Sequence, residues 1–220
     1  MQPVVLTGPA DLAEVHAGLL VPAFPADELV DAEDLVAAVG AGTAEVLVLR
    51  DERGPVAAAV ADFFPGAGVV LLSYLATRPD ARAAGNGGRL LDAALERWRA
   101  RADPCLVLAE VEDPAHHAGS TAHGDPAARL RFYGRRGARR LALPYVQPAV
   151  RPGAPRVPHL FLLVLHAAPE LRRGEGAVDG RPVRAFLEAA FLADEGRAPT
   201  DPQALALLDA VGDETALLPV

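Results

Sequence analysis

The stretch LATRPDARAAGNGGRLL, residues 75–91, joins an apolar, β-rich run over 68–78 to an amphipathic run over 85–101. The first run predicts a strand, and the second predicts a helix because its apolar residues from Leu90 to Trp98 recur at helical spacing. The glycines between them let backbone N–H groups converge, and the following helix adds a favourable dipole at its start. The stretch therefore predicts a strand–turn–helix unit that cradles an anion such as a phosphate.

The cradle differs from the common nucleotide-binding loops. A dinucleotide fingerprint starting at Gly85 would require a third glycine at position 90, which is leucine. All 21 basic residues other than histidine are arginine, so the chain has no lysine. The missing lysine excludes a Walker A loop and a Schiff base, and with them ordinary P-loop NTPases and pyridoxal-phosphate enzymes. Backbone donors of a glycine turn need no lysine.

The composition sets further bounds on the protein. Its 220 residues, 51% hydrophobic and 23% charged, suit one large domain or one domain with an appendage. The single cysteine, Cys105, excludes disulfide frameworks and multi-cysteine metal sites, and it opens an apolar run in which we expect it to be buried. The net charge of −8 argues against nucleic acid as a partner. No run approaches the roughly 18 apolar residues of a membrane span, so we expect a cytoplasmic protein without a membrane partner.

Periodicity predicts the element order β-α-α-β-β-β-α-β-α-β-β, followed by a helical tail. The predicted strands are 3–7, 44–50, 56–64, 68–78, 105–111, 138–143 and 159–165, and the predicted helices are 9–20, 27–39, 85–101 and 126–136. The central β-α-β unit should be parallel and right-handed. The fold class is therefore α/β, with a mixed, mostly antiparallel sheet flanked by helices. Amphipathic stretches near 181–194 and 202–210 predict a C-terminal helical extension over 169–220, beyond a domain over 1–168.

Two motifs resemble one family. Arg82-Ala-Ala-Gly85-Asn-Gly87 is similar to the acetyl-CoA motif of the GNAT superfamily of N-acetyltransferases, Arg/Gln-x-x-Gly-x-Gly/Ala. The segment from Arg129 to Gly137 resembles that family's second motif, a helix ending in Phe-Tyr-x-x-x-Gly before a short strand. The resemblance covers roughly residues 3–166. It implies a sheet whose two central parallel strands splay apart around the pantetheine arm.

The resemblance also implies a co-substrate, acetyl-CoA, and the residues that bind it. These are Leu75, Ala76, Thr77, Arg82, Ala83, Gly85, Asn86, Gly87, Gly88 and Arg89. The strand 68–78 would pair with pantetheine, and the turn would hold the pyrophosphate. In that family the tyrosine of the second motif, here Tyr133, lies near the thioester sulfur and protonates the leaving thiolate, a role that suits a phenol.

An acceptor amine must lose a proton before it attacks, so a base is expected. Glu110 is the first candidate because it lies at the end of an apolar strand. Glu112 has the same strand-face parity, and an ordered water is the alternative to either carboxylate. Tyr74 and Asp62 are weaker candidates on neighbouring strands.

The acceptor pocket is predicted from charge and position, with Glu28, Tyr74, Tyr145 and Gln147 as substrate-binding residues. Acids crowd the second helical stretch and would attract a cationic amine, although a solvated helix face has the same pattern. The proline-rich segment 144–158 either lines the pocket or forms a rigid bridge. The loop 113–125, with three histidines, is expected to shape the pocket, and no metal is predicted there.

These features predict an N-acetyltransferase that moves an acetyl group from acetyl-CoA directly to a primary amine of a small-molecule or peptidic acceptor. Two alternatives stay open at the level of sequence. One is an acyltransferase that uses a larger acyl-CoA. The other is a GNAT-like protein that senses acyl-CoA without turnover, with the tail as a dimer arm in a homodimer.

Overall fold

A computed structural model describes residues 1–82, 84–103, 105–120, 124–151 and 154–220. The strands are β1 (Val4–Leu6), β2 (Ala44–Asp51), β3 (Gly54–Phe64), β4 (Val69–Thr77), β5 (Leu106–Glu112), β6 (Arg139–Leu141), β7 (Leu160–Ala167), β8 (Arg172–Arg173), β9 (Ala177–Asp179) and β10 (Glu214–Leu218). The helices are α1 (Pro9–Val15), α2 (Ala32–Ala41), α3 (Asn86–Ala102), α4 (Pro126–Gly134), α5 (Gly180–Glu195) and α6 (Pro202–Asp209). No helix among these residues is long and apolar enough to cross a membrane.

The chain forms two compact units. The first comprises residues 1–63 and 71–101, and the second comprises residues 64–70 and 102–220. Strand β4 contributes its first two residues to the second unit and the rest to the first. The tail from residue 169 belongs to the second unit, so the predicted boundary at residue 168 does not separate the two.

In the first unit the strand order is β1-β2-β3-β4. The predicted hairpin is confirmed, since β2 and β3 pair antiparallel with Val46 opposite Val60. Side chains from one face of these strands pack against the helices α1 and α2 in a core that contains Leu12, Leu35 and Tyr74. This alternation is what a sheet with one face covered by helices requires.

Helix α3 has the predicted apolar stripe, with Leu90, Leu91, Ala94 and Trp98 buried. The Trp98 indole donates a hydrogen bond to the buried carboxylate of Glu45 at 3.1 Å, and Arg97 donates two to it at 2.9 Å. The core prediction for Trp98 is therefore confirmed, and its polar N–H has the partner that a buried indole needs.

In the second unit the strand order is β4-β5-β7-β6-β10-β9-β8. Strands β5 and β7 pair antiparallel, with Glu110 opposite Leu162. At the start of β5, the N–H of Leu106 donates to the carbonyl of Gly68 at 3.0 Å. Because α3 connects the end of β4 to the start of β5, these neighbours run parallel. The predicted mixed, mostly antiparallel α/β sheet is confirmed.

The predicted C-terminal helical extension also contains strands. Both predicted helices form, as α5 and α6, but the tail also contains β8, β9 and β10. Strand β10 pairs antiparallel with β6, which places Leu217 opposite Leu141, and with β9. These strands have two to five residues, too few for period-two alternation to be recognised. They are strands because they pair with neighbouring strands, and not because of a pattern in their own sequence.

The second helical prediction, 27–39, starts too early. Helix α2 begins at Ala32, so of the acids in this stretch only Glu33 and Asp34 lie in its first turn. Asp27 and Glu28 precede it in a turn in which the N–H of Glu28 donates to the carbonyl of Pro25 at 3.1 Å. The helical spacing of side chains continues through this turn in the sequence, whereas the helical pattern of backbone hydrogen bonds starts only at α2.

Candidate active site

The glycine turn in the first unit has the geometry of an anion cradle. Strand β4 ends at Thr77, and α3 begins at Asn86. Gly85 has φ +78°, a conformation that glycine adopts without the penalty of a Cβ. The buried Asn86 amide donates to the carbonyl of Ala81 at 3.3 Å and so braces the turn. The first N–H groups of a helix have no partner inside the helix and are available to an anion.

Gly87 allows α3 to approach the end of β4 closely. A Cβ at this position would lie 3.1 Å from the Thr77 hydroxyl oxygen, a tight contact. The side chains of Leu75 and Thr77 are half-buried, whereas Ala76 is buried in the core beneath α1 and α2. A larger residue at position 87 would require the Thr77 side chain or the helix start to shift by a few tenths of an ångström.

The two predicted phosphate-binding arginines are exposed at this turn. Arg82 donates through Nε to the carbonyl of Thr77 at 3.4 Å, and Arg89 donates to the carbonyl of Met1 at 2.9 Å. Both lie beside the glycines, where a guanidinium adds positive charge to the backbone donors. Of the remaining predicted cofactor residues, Gly88 is buried in α3, and Ala83 lies outside the described residues.

Sequence reasoning missed Arg78, which anchors the entry to the turn. Its guanidinium pairs with Asp51 at 2.6 Å and with Asp80 at 2.7 Å. The hydrogen bond from Arg78 lowers the pKa of Asp51 to about 2. The Arg-Pro-Asp sequence at 78–80 is the signal that could have identified it, because an arginine and an aspartate flank the proline that turns the chain.

In the second unit the structure brings together three predicted residues, the carboxylate Glu110 and two donors to it. Glu110, on β5, accepts a hydrogen bond from the phenol of Tyr145 and one from the side-chain amide of Gln147 at 2.8 Å. Burial, together with the neighbouring Glu110 charge, raises the pKa of Tyr145 well above its usual value, so the phenol stays a donor. A predicted base and two predicted substrate-binding residues therefore form one cluster.

Backbone hydrogen bonds to Val157 fix the position of Gln147. Its N–H donates to the carbonyl of Val157 at 3.0 Å, and the N–H of Val157 donates back at 3.1 Å. Its side-chain oxygen is buried and has no hydrogen-bond partner among the described residues. The backbone pairing makes Val157 a positioning residue that sequence reasoning did not identify.

Glu112 has a different environment from Glu110. It pairs with Arg129 of α4 at 3.1 Å, and the ring of His117 lies 3.6 Å away. Tyr145 and Gln147 are neutral donors to Glu110, whereas the partners of Glu112 include a permanent cation. The carboxylate of Glu112 is therefore already occupied by an ion pair with α4.

Tyr133 is buried near the end of α4, with its ring edge-on to Phe132 at a centroid distance of 5.0 Å. Burial raises the pKa of Tyr133 to about 12, despite the opposing charges of Arg129 and Arg136. The phenol therefore holds its proton at neutral pH, which a general acid requires.

Tyr74 and Glu28 are linked in the first unit, but through the backbone of Glu28. The Tyr74 hydroxyl donates to the Glu28 carbonyl at 2.9 Å and accepts from the N–H of Val30 at 3.1 Å. These bonds fix the turn before α2 to strand β4. A role of either side chain in substrate binding stays a prediction. The weaker base candidate Asp62 accepts a hydrogen bond from Ser73 on β4, and burial raises its pKa.

The histidines of the loop 113–125 are engaged in packing where the structure describes them. His116 stacks on His159 at 4.0 Å, and His117 lies 3.3 Å from the carbonyl of Pro158. His123 lies outside the described residues. Within the described ranges, no group of three histidine, cysteine or acidic side chains could hold a metal ion.

Comparison with protein-family models and with curated proteins gives no match. Solved structures do match. A GNAT-family protein from Bacteroides thetaiotaomicron superimposes with a TM-score of 0.57 at 23% identity, covering 74% of this chain and 86% of its own. The ribosomal-protein-alanine N-acetyltransferase from Brucella melitensis gives 0.52 at 20%, covering 74% and 97%. The ribosomal-protein-S18-alanine N-acetyltransferase from Escherichia coli gives 0.51 at 16%, covering 79% and 97%. The chain has the GNAT fold.

Both motifs that predicted the GNAT fold occupy the elements they require. The first lies at a strand–turn–helix junction, and the second ends helix α4 just before the short strand β6. These GNAT structures are covered over nearly their whole length, so this chain contains an almost complete GNAT fold together with additional residues.

Proposed function

We propose that this protein transfers an acetyl group from acetyl-CoA to a primary amine. The observation that carries the proposal is the junction of β4 and α3, where Gly85 has a positive φ and Gly87 faces Thr77. A helix start of this kind offers several converging backbone N–H groups to one anion. The pyrophosphate of coenzyme A is a ligand of matching charge, and its binding here requires no lysine.

Residues of the first unit would hold the co-substrate. The backbone N–H groups of Gly87 and Gly88 would bind the pyrophosphate, and Arg82 and Arg89 would add positive charge from the surface. Acetyl-CoA supplies an activated thioester carbonyl, and the protein's own task is to move two protons.

Glu110 would take the first proton, from the attacking amine. Its carboxylate is held by the Tyr145 phenol and the Gln147 amide, both neutral donors that keep it oriented. Glu112 is the second candidate because its carboxylate is already paired with Arg129 at 3.1 Å. The proton passes from the amine nitrogen to a Glu110 oxygen, either directly or through one water.

Tyr133 would give the second proton, to the departing thiolate. With a pKa of about 12 the phenol is protonated throughout the physiological range. Arg129 and Arg136 favour the phenolate electrostatically, and a phenolate formed by proton donation would therefore be stabilised. Reprotonation from solvent would restore the acid after each turnover.

The acceptor is proposed to be a small or peptidic amine. The net charge of −8 favours approach of a cation by electrostatic steering. Two proteins with this fold are, by description, ribosomal-protein-alanine N-acetyltransferases, which makes a protein or peptide amine a reasonable first acceptor to test.

The test is thiol release from acetyl-CoA over a panel of amines, polyamines, aminoglycosides and peptide N-termini. We expect release with at least one acceptor, and a loss of about 10²- to 10⁴-fold in kcat in Tyr133→Phe with coenzyme A binding retained. Phe132→Leu is the matched control, because it removes the ring beside Tyr133 and leaves the hydroxyl in place. Binding of acetyl-CoA without release on any amine would instead favour a sensor. Faster release from butyryl-CoA would favour a larger acyl donor.

A further inference from the structure

A cavity in the second unit is lined by residues other than those of the Glu110 cluster. Its volume is about 390 Å³, and its lining comes from strands β6 to β10 and the turn between β8 and β9, among them Arg139, Val164, His166, Arg172, Glu175 and Leu217. Strands β7 and β8 stand at opposite ends of the row β7-β6-β10-β9-β8. The Arg172 guanidinium on β8 nevertheless donates to the Ala167 carbonyl on β7 at 3.0 Å. The two ends of the row therefore approach each other, and the cavity lies where they meet.

The cavity is separated from the Glu110 cluster along strand β7. Glu110 stands opposite Leu162 in the β5–β7 register, and the lining residues Val164 and His166 lie two and four residues further along β7. At about 3.3 Å per residue these separations are roughly 7 and 13 Å along the strand. None of Glu110, Tyr145 and Gln147 is among the residues that line the cavity.

The charged lining of the cavity has more basic than acidic residues. It contains Arg139 and Arg172 against one acid, Glu175, and His166 adds a polar ring. The remaining walls include the apolar side chains of Val164, Leu165, Ala167, Val178 and Leu217. A volume within the usual range for small-molecule sites, with apolar walls and a few convergent charges, suits a ligand that has an anionic head and an apolar body.

Arg139 contributes a buried donor that lacks an acceptor. Its Nη2 donates to the Leu217 carbonyl at 2.9 Å, which fixes the guanidinium in place. Its Nε is buried and has no hydrogen-bond partner among the described residues. A buried charged donor without an acceptor is costly, and native structures rarely leave one unsatisfied. An anion bound against this guanidinium would supply the missing acceptor.

We propose that this cavity binds a small organic carboxylate. A carboxylate has two oxygens for parallel N–H donors of a guanidinium, an arrangement that combines charge with direction. Arg139 would supply the fixed donor, Arg172 would add charge at the exposed rim, and the apolar walls would hold the hydrocarbon part. The proposal does not rest on acyl transfer at Glu110.

The test uses hexanoate as the probe, measured by isothermal titration calorimetry on the full chain, with hexan-1-ol as the uncharged control. We expect saturable binding of hexanoate and none of hexan-1-ol. Arg139→Gln should weaken binding about tenfold or more, because it removes a charge-assisted hydrogen bond. Arg140→Gln is the matched control. It changes the adjacent residue of β6, whose guanidinium stacks over Phe161 at 4.6 Å, and it should leave binding unchanged.

A second pair of variants keeps the proposal testable if Arg139→Gln does not fold. Arg172→Gln should weaken hexanoate binding, and Glu175→Gln should strengthen it about twofold by removing a competing negative charge. Equal binding of hexanoate and hexan-1-ol would overturn the proposal, as would shifts of the same sign in these two variants. Inorganic phosphate that binds where hexanoate does not would also overturn it, in favour of a phosphate site.

Discussion

The phenol of Tyr145 donates a hydrogen bond to the carboxylate of Glu110 and thereby connects the proline-rich segment 144–158 to strand β5. The side-chain amide of Gln147 completes the contact from the same segment. The segment thus takes part in the candidate catalytic cluster, which favours the pocket-lining interpretation over a mere bridge.

Replacing each carboxylate of β5 in turn should show which of them acts as the base. We expect Glu110→Gln to lower kcat/KM for thiol release about 10²- to 10⁴-fold, because the amide cannot accept a proton. Glu112→Gln is the matched control, because Glu112 lies two residues further along β5 on the same strand face. We expect it to lower kcat/KM by less than about tenfold. Equal rates in Glu110→Gln and the wild type across pH would rule Glu110 out as the base.

The glycine turn should respond to a single methyl group. At φ +78° an alanine is strained, so we expect Gly85→Ala to lower the free energy of unfolding by about 1 kcal/mol and to weaken coenzyme A binding. Gly40→Ala is the control. It lies in α2 with nothing within 4 Å of the new Cβ and should raise stability by about 0.5–1 kcal/mol. Urea unfolding and calorimetry measure the two quantities. Unchanged coenzyme A affinity in Gly85→Ala would argue against the cradle.

Asp62 should make stability depend on pH in the direction opposite to most acids. Burial raises its pKa in the folded state, so the folded chain holds a proton that the unfolded chain releases. The free energy of unfolding therefore falls as pH rises from the unfolded pKa, about 3.9, through the raised folded pKa. Asp62→Asn should remove this fall, so that its stability relative to the wild type increases with pH in urea titrations.

Ser73 provides the check on Asp62. Its hydroxyl donates to the carboxylate and lowers the pKa that burial raises, so Ser73→Ala should steepen the loss of stability with pH. Parallel pH profiles for Asp62→Asn and the wild type would show that the carboxyl does not titrate in this way.

We expect the ion pairs of Arg156 to stabilise the contact between the proline-rich segment and the tail. It donates to Glu195 at 2.6 Å and to Asp201 at 2.6 Å, and its guanidinium lies over the Phe191 ring at 4.8 Å. Arg156 and Glu195 side chains are only 16% and 9% exposed. Arg156→Gln leaves a buried carboxylate without its partner, and we expect a loss of about 3 kcal/mol in urea unfolding.

The control for Arg156 is Arg197→Gln. Arg197 lies 4.0 Å from the same carboxylate but is 70% exposed, so its loss should change stability by less than about 1 kcal/mol. Similar losses in both variants would show that net charge near Glu195, not the buried geometry of Arg156, stabilises the tail.

Local patterns predicted the elements that a few neighbouring residues determine. The strand–turn–helix unit follows from glycines at 85, 87 and 88 between an apolar run and an amphipathic one. The hairpin of β2 and β3 follows from two apolar runs around a short polar turn. In both cases the turn chemistry and the side-chain period lie within about 20 consecutive residues.

Contacts between distant residues were decided by the tertiary structure. The donors to Glu110 come from residues 35 and 37 positions further along the chain. Strand β10 forms because β6 and β9 offer it partners. Arg139 on β6 donates to the carbonyl of Leu217 on β10, 78 residues away. The residues next to each of these positions in the sequence do not determine which distant residue it contacts. Strand register and side-chain packing determine those contacts, and both depend on the whole chain.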